Sequence, residues 1–171
     1  MNSGTSFFMC LAIIIAYMIS HMPHTYILYV KTNNSTLADY YQNWKYHYEG
    51  DSGVDLVLQN DIMFKDHGRL DFGISAVMTK NGNPTSYYLY GRSSLSKLNL
   101  YLTNPVGVMD AGYTGNLFTY AYSEDKIVIP AMSRLVQICA PDLTPISKIH
   151  IVKSLPVLGS RGEKGFGSTG K

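Results

Sequence analysis

Short runs of apolar and β-branched residues alternate with turn residues through the middle of the chain, a pattern typical of β-strands. The predicted strands are Thr25–Lys31, Asn60–Phe64, Gly73–Thr79, Ser86–Tyr90, Leu98–Leu102, Leu117–Tyr122, Lys126–Ile129 and Arg134–Ala140. Turn residues separate them at Asn81–Pro84, His67-Gly68, Gly112 and Gly115. Many short strands at this spacing predict an all-β barrel or jelly roll.

One segment after the first run predicts a short helical insert instead. Ser35 or Thr36 could cap its first turn. Large apolar side chains then fall near helical spacing, at Leu37, Tyr40, Tyr41, Trp44 and Tyr48. Packing explains these aromatic side chains, so we assign the insert no binding role.

Length and composition indicate one domain. A chain of 171 residues lies within the usual single-domain range. Charged residues make up only 15% of it, which is low for a soluble monomer and is explained by an oligomer that hides part of its surface. The net charge of +2, without a basic cluster, argues against a protein that coats nucleic acid. Cys10 and Cys139 lack zinc-ligand spacing, and Cys139 is expected to be a reduced core residue.

The last eleven residues, 161–171, carry the strongest candidate chemistry. They contain four glycines and no apolar periodicity, so they cannot build a core. Glycine amides can surround an anion closely, while Arg161, Ser168 and Thr169 add phosphate donors. Phe166 offers a ring on which a base can stack. The segment predicts a mobile lid over a nucleotide polyphosphate, with an ordinary disordered tail as the alternative.

This tail resembles the fifth, C-terminal motif of the trimeric dUTP pyrophosphatases (dUTPases), except that Lys164 stands where a glycine is usual. Four further segments resemble the other motifs of that family, in order: Asp51–Leu56, Gly91–Ser96, Gly107–Gly115 and Arg134–Ile138. A single motif would be weak evidence, whereas five in order are strong. The resemblance covers roughly residues 24–171.

The resemblance implies an all-β, dUTPase-like jelly roll or distorted β-barrel with one short helical insert and a glycine-rich C-terminal arm. It implies a homotrimer with active sites shared between subunits, and hydrolysis of dUTP to dUMP and pyrophosphate by water attack on the α-phosphorus. That reaction would limit uracil in DNA and supply dUMP for dTMP synthesis. The insert and the sequence RSSLSK resemble versions from large DNA viruses and some protists. We expect a cytoplasmic protein, in the host cell if the source is viral.

Asp110 is the candidate catalytic base, because a carboxylate in a glycine-flanked turn can orient and deprotonate water. The resemblance implies that it also accepts a hydrogen bond from the sugar 3′-hydroxyl. Tyr113 resembles the tyrosine that lies under the deoxyribose and leaves no room for a 2′-hydroxyl. The residues implied to contact the uracil edge are Asn104, Gly107, Val108 and Met109.

Further substrate ligands are implied at the phosphate end. One group, supplied by a neighbouring subunit, comprises Arg92, Ser93 and Ser94. Gln137 also resembles a phosphate ligand of the family. A second group, in the lid, comprises Arg161, Gly165, Phe166, Gly167, Ser168 and Thr169. Asp55 and Arg134 are expected to be structural residues, with Arg134 paired to Asp55 or to another acidic residue. Thr114 stands where many members carry arginine, and we assign it no ligand role.

Mg²⁺ is the expected cofactor, because a triphosphate is normally handled as its magnesium complex. The chain offers no compact carboxylate cage, so we assign no direct metal ligand. The resemblance implies that phosphates and waters hold the ion, with Asp55 at most contacting it through water.

Two alternative functions stay open at this point. A dCTP deaminase shares the fold but carries a catalytic glutamate ten residues after the aspartate of the third motif, where this chain has Tyr120. A non-catalytic nucleotide-binding or regulatory protein usually lacks the base or the tail. Here Asp110 and Phe166 are both present, so neither alternative is favoured.

The predicted domain, residues 23–158, lies between the C-terminal lid at 159–171 and an apolar N-terminal extension at 1–22. A near-continuous apolar run from Phe7 to Ile19 is short for a membrane span, which needs about 20 residues. It also lacks the positive flank of a secretory signal, because no Lys or Arg precedes Lys31. The extension is a membrane-associating or targeting segment, an added element packed on the trimer, or residues upstream of a true start at Met18 or Met22. Membrane binding is the least expected.

Overall fold

The computed structural model describes residues 3–20, 24–156 and 162–163. Its described ranges contain the α-helices α1 (Ser3–Ser20) and α2 (Ser35–Gln42) and a 3-10 helix at Ser93–Leu98. The strands are β1 (Tyr26–Lys31), β2 (Gly53–Val57), β3 (Ile62–Lys80), β4 (Asn83–Thr85), β5 (Tyr87–Gly91), β6 (Tyr101–Leu102), β7 (Val106–Met109), β8 (Asn116–Ile129), β9 (Arg134–Cys139) and β10 (Ile146–Ile151).

The strands form two sheets that share one hydrophobic core. The first sheet has the order β10-β1-β3-β8-β6, with β4 paired to β3, and the second has the order β2-β9-β5-β7. These strands pair antiparallel, except that β1 and β10 are parallel. Leu28 and Phe72 of the first sheet belong to the same buried cluster as Leu56 and Ile138 of the second. The all-β prediction is confirmed.

Strand β3 joins two of the predicted strands across His67-Gly68, so the predicted turn at this dipeptide is wrong. The dipeptide lies inside the pairing of β3 with β8. The ladder shifts register between Phe64 and Asp66, where Asp66 has a φ of 57°, so a β-bulge absorbs the irregular backbone. A Cβ on Gly68 would stand 2.6 Å from Phe64 Cε2. The glycine therefore makes room for an aromatic ring and does not mark a turn.

Two other strand predictions also change. Strand β8 (Asn116–Ile129) unites the predicted strands 117–122 and 126–129 into one long partner of β3. The predicted strand Leu98–Leu102 is wrong in its first half, because Leu98 ends the 3-10 helix and Asn99 has a left-handed φ of 47°. Its second half forms the short strand β6.

The predicted helical insert is confirmed as α2, although it is shorter than the aromatic spacing indicates. Its N-cap is Asn34, one residue before the first predicted cap. Asn34 Oδ1 accepts hydrogen bonds from the backbone N–H groups of Thr36 (2.9 Å) and Leu37 (3.2 Å). Leu37 is buried in the core. The helix ends before Trp44, so the segment that follows is an irregular connection to β2.

Asp142, in the turn before β10, ties this turn to β1. Its carboxylate accepts hydrogen bonds from Tyr26 Oη (2.8 Å) and from the backbone N–H of Thr144 (3.1 Å), and it lies 3.3 Å from Lys80 Nζ. Burial acts to raise the pKa of Asp142, but these hydrogen bonds outweigh it and hold the pKa below that of an ordinary aspartate.

The apolar run near the N-terminus lies within α1. Several of its side chains, Phe8, Met9, Ile13 and Tyr17, are between 62% and 70% exposed. Across the described ranges, none of the helices has the length and apolar character needed to cross a membrane. The three interpretations of residues 1–22 stay predictions.

Candidate active site

One residue from each strand of the second sheet contributes to a row across its outer face. The row is Asp55 (β2), Gln137 (β9), Tyr90 (β5) and Val106 (β7), each the direct partner of the next. Paired residues point to the same face of a sheet, so these side chains share one face. The alternating residues Leu89 and Ile138 are buried in the core. This face therefore carries residues of the first and fourth motif segments and adjoins the third.

Asp55 holds two arginines in what we call the arginine cluster, which comprises Asp55, Arg92, Arg134 and Gln137. Arg92 Nε lies 2.9 Å from Asp55 Oδ1, and Arg134 Nη1 lies 3.4 Å from Asp55 Oδ2. The Asp55 side chain is only 12% exposed, so both of its oxygens face guanidinium groups with little competing water. Arg92 contacts Asp55 through Nε, and its Nη1 donates to the backbone oxygen of Arg134 at 3.4 Å.

A cavity of about 140 Å³ adjoins the arginine cluster. Its lining comes from Asp51–Gly53, from Asp55, Arg92 and Gln137, and from the segment Trp44–His47. The Gln137 side chain lies across Gly53, because a Cβ on that glycine would stand 2.8 Å from Gln137 Cδ. Glycine at position 53 thus leaves the space that the carboxamide occupies.

Arg92 is followed by a serine pair that begins the 3-10 helix. The backbone N–H of Arg92 donates to Leu135 O (2.9 Å), which fixes this helix start against β9. Ser93 is exposed. Ser94 Oγ is buried and has no hydrogen-bond partner among the residues that the structure describes. Leaving a buried hydroxyl unpaired costs about 1–3 kcal/mol, so a ligand or another part of the protein is expected to supply a partner.

A second, open cavity of about 340 Å³ also has Arg92 in its lining. Arg92, Ser94, Lys97 and Arg134 are among the residues that line it. Three cations around one opening attract an anion. Arg92 borders both cavities.

Strand β7 forms an edge of the second sheet, where it pairs with β5. Along the described chain no strand pairs with its other side. Gly107 packs tightly on β5, since a Cβ on it would stand 3.1 Å from Leu89 Cβ. Met109 packs against the core, whereas Val108 and Asn104 are exposed. Fixed backbone donors and acceptors at such an edge can recognise a planar polar ring.

Asp110 and Tyr113 lie in the turn after β7, and with β7 they form what we call the hairpin cluster. The backbone N–H of Tyr113 donates to Asp110 O (3.1 Å), and Gly112 takes a φ of 84°, which favours glycine. Tyr113 is only 9% exposed, and its hydroxyl donates to Asn116 O (3.2 Å). A Cβ on Gly115 would stand 2.6 Å from Tyr113 Cζ, so the ring is held in one position.

The C-terminal motif begins beside this ring. Gly162 forms an isolated parallel bridge with Tyr113, and its carbonyl oxygen accepts a hydrogen bond from the backbone N–H of Thr114 (3.0 Å). Both contacts lie within one chain. The remaining predicted lid ligands lie outside the described residues: Arg161, Gly165, Phe166, Gly167, Ser168 and Thr169.

The two clusters occupy opposite ends of β5. Met109 pairs with Tyr87 at the start of β5, and Asp110 follows Met109 directly. Arg92 follows the last residue of β5, Gly91. At about 3.4 Å per residue, the Asp110 and Arg92 backbones are about 20 Å apart along the strand. Within one chain the two clusters are therefore separate.

Lys45 and His47 of the 140 Å³ cavity were missed by the sequence analysis. His47 Nε2 lies 2.8 Å from Arg134 Nη1. A guanidinium group can only donate, so Arg134 is the donor to the His47 ring in this contact. The available signal was the alternation of basic and aromatic residues at 44–48, but helical spacing favoured packing as its explanation.

The donor groups around Asp55 suit a metal ion that is bound mainly by the substrate phosphates. In the ranges 3–20, 24–156 and 162–163, no group of three or more His, Cys, Asp or Glu residues is placed to hold a metal. Both oxygens of Asp55 face arginines. A cation near this carboxylate would therefore need most of its oxygen ligands from phosphates and water.

Comparisons with known proteins agree with the family resemblance of the motif segments. A sequence model of the dUTPase family matches residues 39–170. No curated protein matches the chain. The solved dUTPase of Streptococcus mutans is 24% identical with a TM-score of 0.51, and the match covers 67% of this chain and 92% of that one. A mutant dUTPase of Staphylococcus bacteriophage 80alpha, solved with dUpNHpp, is 20% identical with a TM-score of 0.51, over 84% of this chain and 98% of that one. Both structures are similar in fold.

Proposed function

This chain belongs to the dUTPase family, and from that premise we propose that it is a dUTP diphosphatase, which hydrolyses dUTP to dUMP and pyrophosphate. The observation that carries the proposal is the position of the hairpin cluster and the arginine cluster on one sheet. The hairpin cluster suits a base and a sugar, and the arginine cluster suits a polyphosphate. The reaction would limit uracil in DNA and supply dUMP for dTMP synthesis. We propose that it takes place in the cytoplasm, or in the host-cell cytoplasm if the source is viral.

The hairpin cluster would select the nucleoside. Backbone groups of Gly107, Val108 and Met109, with Asn104 nearby, would hydrogen-bond the uracil edge and distinguish its 4-oxo group from the 4-amino group of cytosine. The tight hairpin would exclude the 5-methyl group of thymine. The Tyr113 ring is buried and held against Gly115. It cannot easily retreat from a 2′-hydroxyl, which supports exclusion of UTP.

Asp110 would supply the base. Its position in the turn after β7 supports this role, because a nucleoside bound by the hairpin would lie next to this turn. There it would orient a water for attack on the α-phosphorus and take the proton as the new P–O bond forms and pyrophosphate leaves. A hydrogen bond from the sugar 3′-hydroxyl to the same carboxylate would align sugar and water together.

The arginine cluster would bind the phosphates. Arg92 would contribute charge-assisted hydrogen bonds, with further donors from Ser93, Ser94 and Gln137. Support comes from the two cavities that Arg92 borders and from the buried, unpaired Ser94 hydroxyl. Mg²⁺, bound with the triphosphate, would neutralise charge and fix one phosphate conformation.

We further propose that each active site combines chains of a homotrimer. Asp110 and Arg92 of one chain are about 20 Å apart along β5, and Arg92 is turned towards Asp55 rather than along the strand. An assembly in which the hairpin cluster of one chain faces the arginine cluster of another would bring them to one substrate. The C-terminal arm, with Arg161 and Phe166, would then close over the nucleotide, either at its own Tyr113 or at a neighbour's.

Pyrophosphate release by the purified protein with Mg²⁺ tests the function, with dUTP, UTP, dCTP and dTTP offered in parallel. Release from dUTP alone, abolished in Asp110→Asn, is expected. Absence of release from all four nucleotides by a folded, assembled protein would refute the enzyme and favour a nucleotide-binding protein. Ammonia release from dCTP would instead indicate a deaminase.

A further inference from the structure

We propose that Lys45 is an additional ligand of the β- and γ-phosphates of the substrate, held in place by the segment Trp44–His47. This inference rests on the proposed dUTP hydrolysis and adds a residue to its phosphate-binding part. None of the motif segments contains Lys45, which follows α2 in the connection to β2.

The first support is position. Lys45 lines the same 140 Å³ cavity as Arg92 and Gln137, the two side chains proposed to bind phosphate beside Asp55. Asp55 and Gln137 are direct partners on β2 and β9, and β2 is the outermost strand at this side of the sheet. The segment Trp44–His47 therefore borders the cavity where the sheet ends, and adds lining that the sheet cannot provide.

The second support is rigidity, because the residues on both sides of Lys45 are anchored. The Trp44 and Tyr46 rings make an edge-to-face contact with centroids 4.3 Å apart. Tyr46 Oη donates to Ile146 O (3.1 Å) and accepts from the Ile146 backbone N–H, which ties the segment to β10. Burial raises the pKa of Tyr46 to about 12, so this hydroxyl stays protonated and keeps both bonds. His47 contacts Arg134 at 2.8 Å. The Lys45 backbone is thus preorganised, and only its side chain must order on binding.

The third support is charge. Within the described residues Lys45 makes no ion pair, although Asp51 and Asp55 line the same cavity. Asp55 is already held by two arginines, and Asp51 accepts the Tyr48 backbone N–H at 3.1 Å. A polyphosphate would bring the excess of negative charge that the Lys45 ammonium, with its three donors, can bind.

The decisive measurement compares two ligands that differ in the β- and γ-phosphates. Calorimetry with Mg²⁺ would measure the binding of dUpNHpp and of dUMP to the wild type, Lys45→Gln, Lys45→Arg and the matched surface control Lys148→Gln. Lys148 is an exposed lysine on β10 away from the cavity lining. Thermal unfolding of each variant would monitor the fold.

We expect Lys45→Gln to weaken dUpNHpp binding about tenfold, as for the loss of one charge-assisted hydrogen bond. Affinity for dUMP and the unfolding temperature should not change. Lys45→Arg should retain most of the affinity, and Lys148→Gln all of it. Unchanged dUpNHpp binding by Lys45→Gln would overturn the proposal, as would an equal loss for dUMP, which indicates a structural role. A wild type that hydrolyses no dUTP would refute the function itself and this inference with it.

Discussion

Replacement of Gly53 by alanine should impair dUTP hydrolysis by displacing Gln137, with little effect on the fold. The added methyl group would stand 2.8 Å from Gln137 Cδ and 3.1 Å from Gln137 Cβ, with the amide oxygen closer still. The amide group is the far end of a flexible side chain and can rotate away. The Cβ contact requires a shift of a few tenths of an ångström. Gly53 does not have a left-handed φ, so alanine adds no backbone strain there.

The size of the effect follows from the hydrogen bond that is lost. A hydrogen bond to a charged group contributes about 1.5–3 kcal/mol, which corresponds to a loss of about 10- to 150-fold in kcat/KM. The free energy of unfolding should change by less than about 1 kcal/mol, because no core side chain moves. Activity and stability should therefore separate clearly in this variant.

A double-mutant cycle tests the mechanism. Steady-state pyrophosphate release would be measured for the wild type, Gly53→Ala, Gln137→Ala and the double variant, with denaturant unfolding as the control for stability. If Gly53→Ala acts only through Gln137, it should have almost no further effect once Gln137 is alanine. Losses that multiply in the double variant would refute the reasoning, because Gly53 would then act independently of the amide.

Four further predictions concern the nucleoside, the assembly, the arm and acid stability. Tyr113→Phe should keep the preference for dUTP over UTP. Tyr113→Ala should reduce this preference by tenfold or more, which corresponds to about 1.4 kcal/mol. Equal UTP turnover by the two variants would contradict steric exclusion of the 2′-hydroxyl by the ring. Mixed Asp110→Asn and Arg92→Gln chains, each inactive alone, should regain activity after co-refolding, and no recovery would contradict sharing of sites between chains. A chain ending at Ser160 should fold and assemble but turn over very slowly, and full activity would refute the lid. Asp142→Asn should lower the unfolding temperature at neutral pH. The folded pKa of Asp142 is depressed, so its stabilisation exists above the pKa of an unfolded aspartate, about 3.9, and is lost as the pH falls below that; a constant difference down to pH 2 would contradict this.

Alternation of apolar and polar residues was sufficient to predict those strands that bury only one face. Strand β1 alternates buried and partly exposed positions, and its predicted bounds differ from the structure by one residue. Strand β2 was not predicted, because Val54–Val57 are all buried and show no alternation. A turn was predicted at Gly68, because a glycine that makes room for an aromatic ring has the same sequence signal as a glycine that makes a turn. The local sequence does not distinguish these two kinds of glycine, because the difference depends on a tertiary contact within the folded sheet.

The sequence predicted only those candidate site residues that lie within a motif segment. Arg92 and Asp110 were identified from their motif segments, but their separation along β5 depends on strand pairing, which no motif specifies. Lys45 was missed for a similar reason. It reaches the cavity because its neighbour Tyr46 is bound to Ile146, a hundred residues away in sequence, and such a contact leaves no periodic signal.

The separation of the two clusters along β5 has a consequence for mixed populations of chains. Under the proposed sharing, every chain serves one active site with its hairpin cluster and a different site with its arginine cluster. A chain defective in both clusters would then inactivate two sites of its trimer. If such chains were mixed equally with intact ones, about a quarter of the sites would combine two intact halves, by random assembly. A defective copy of this protein would thus act dominantly over an intact one, and dilution below the assembly concentration would abolish turnover even in chains that stay folded.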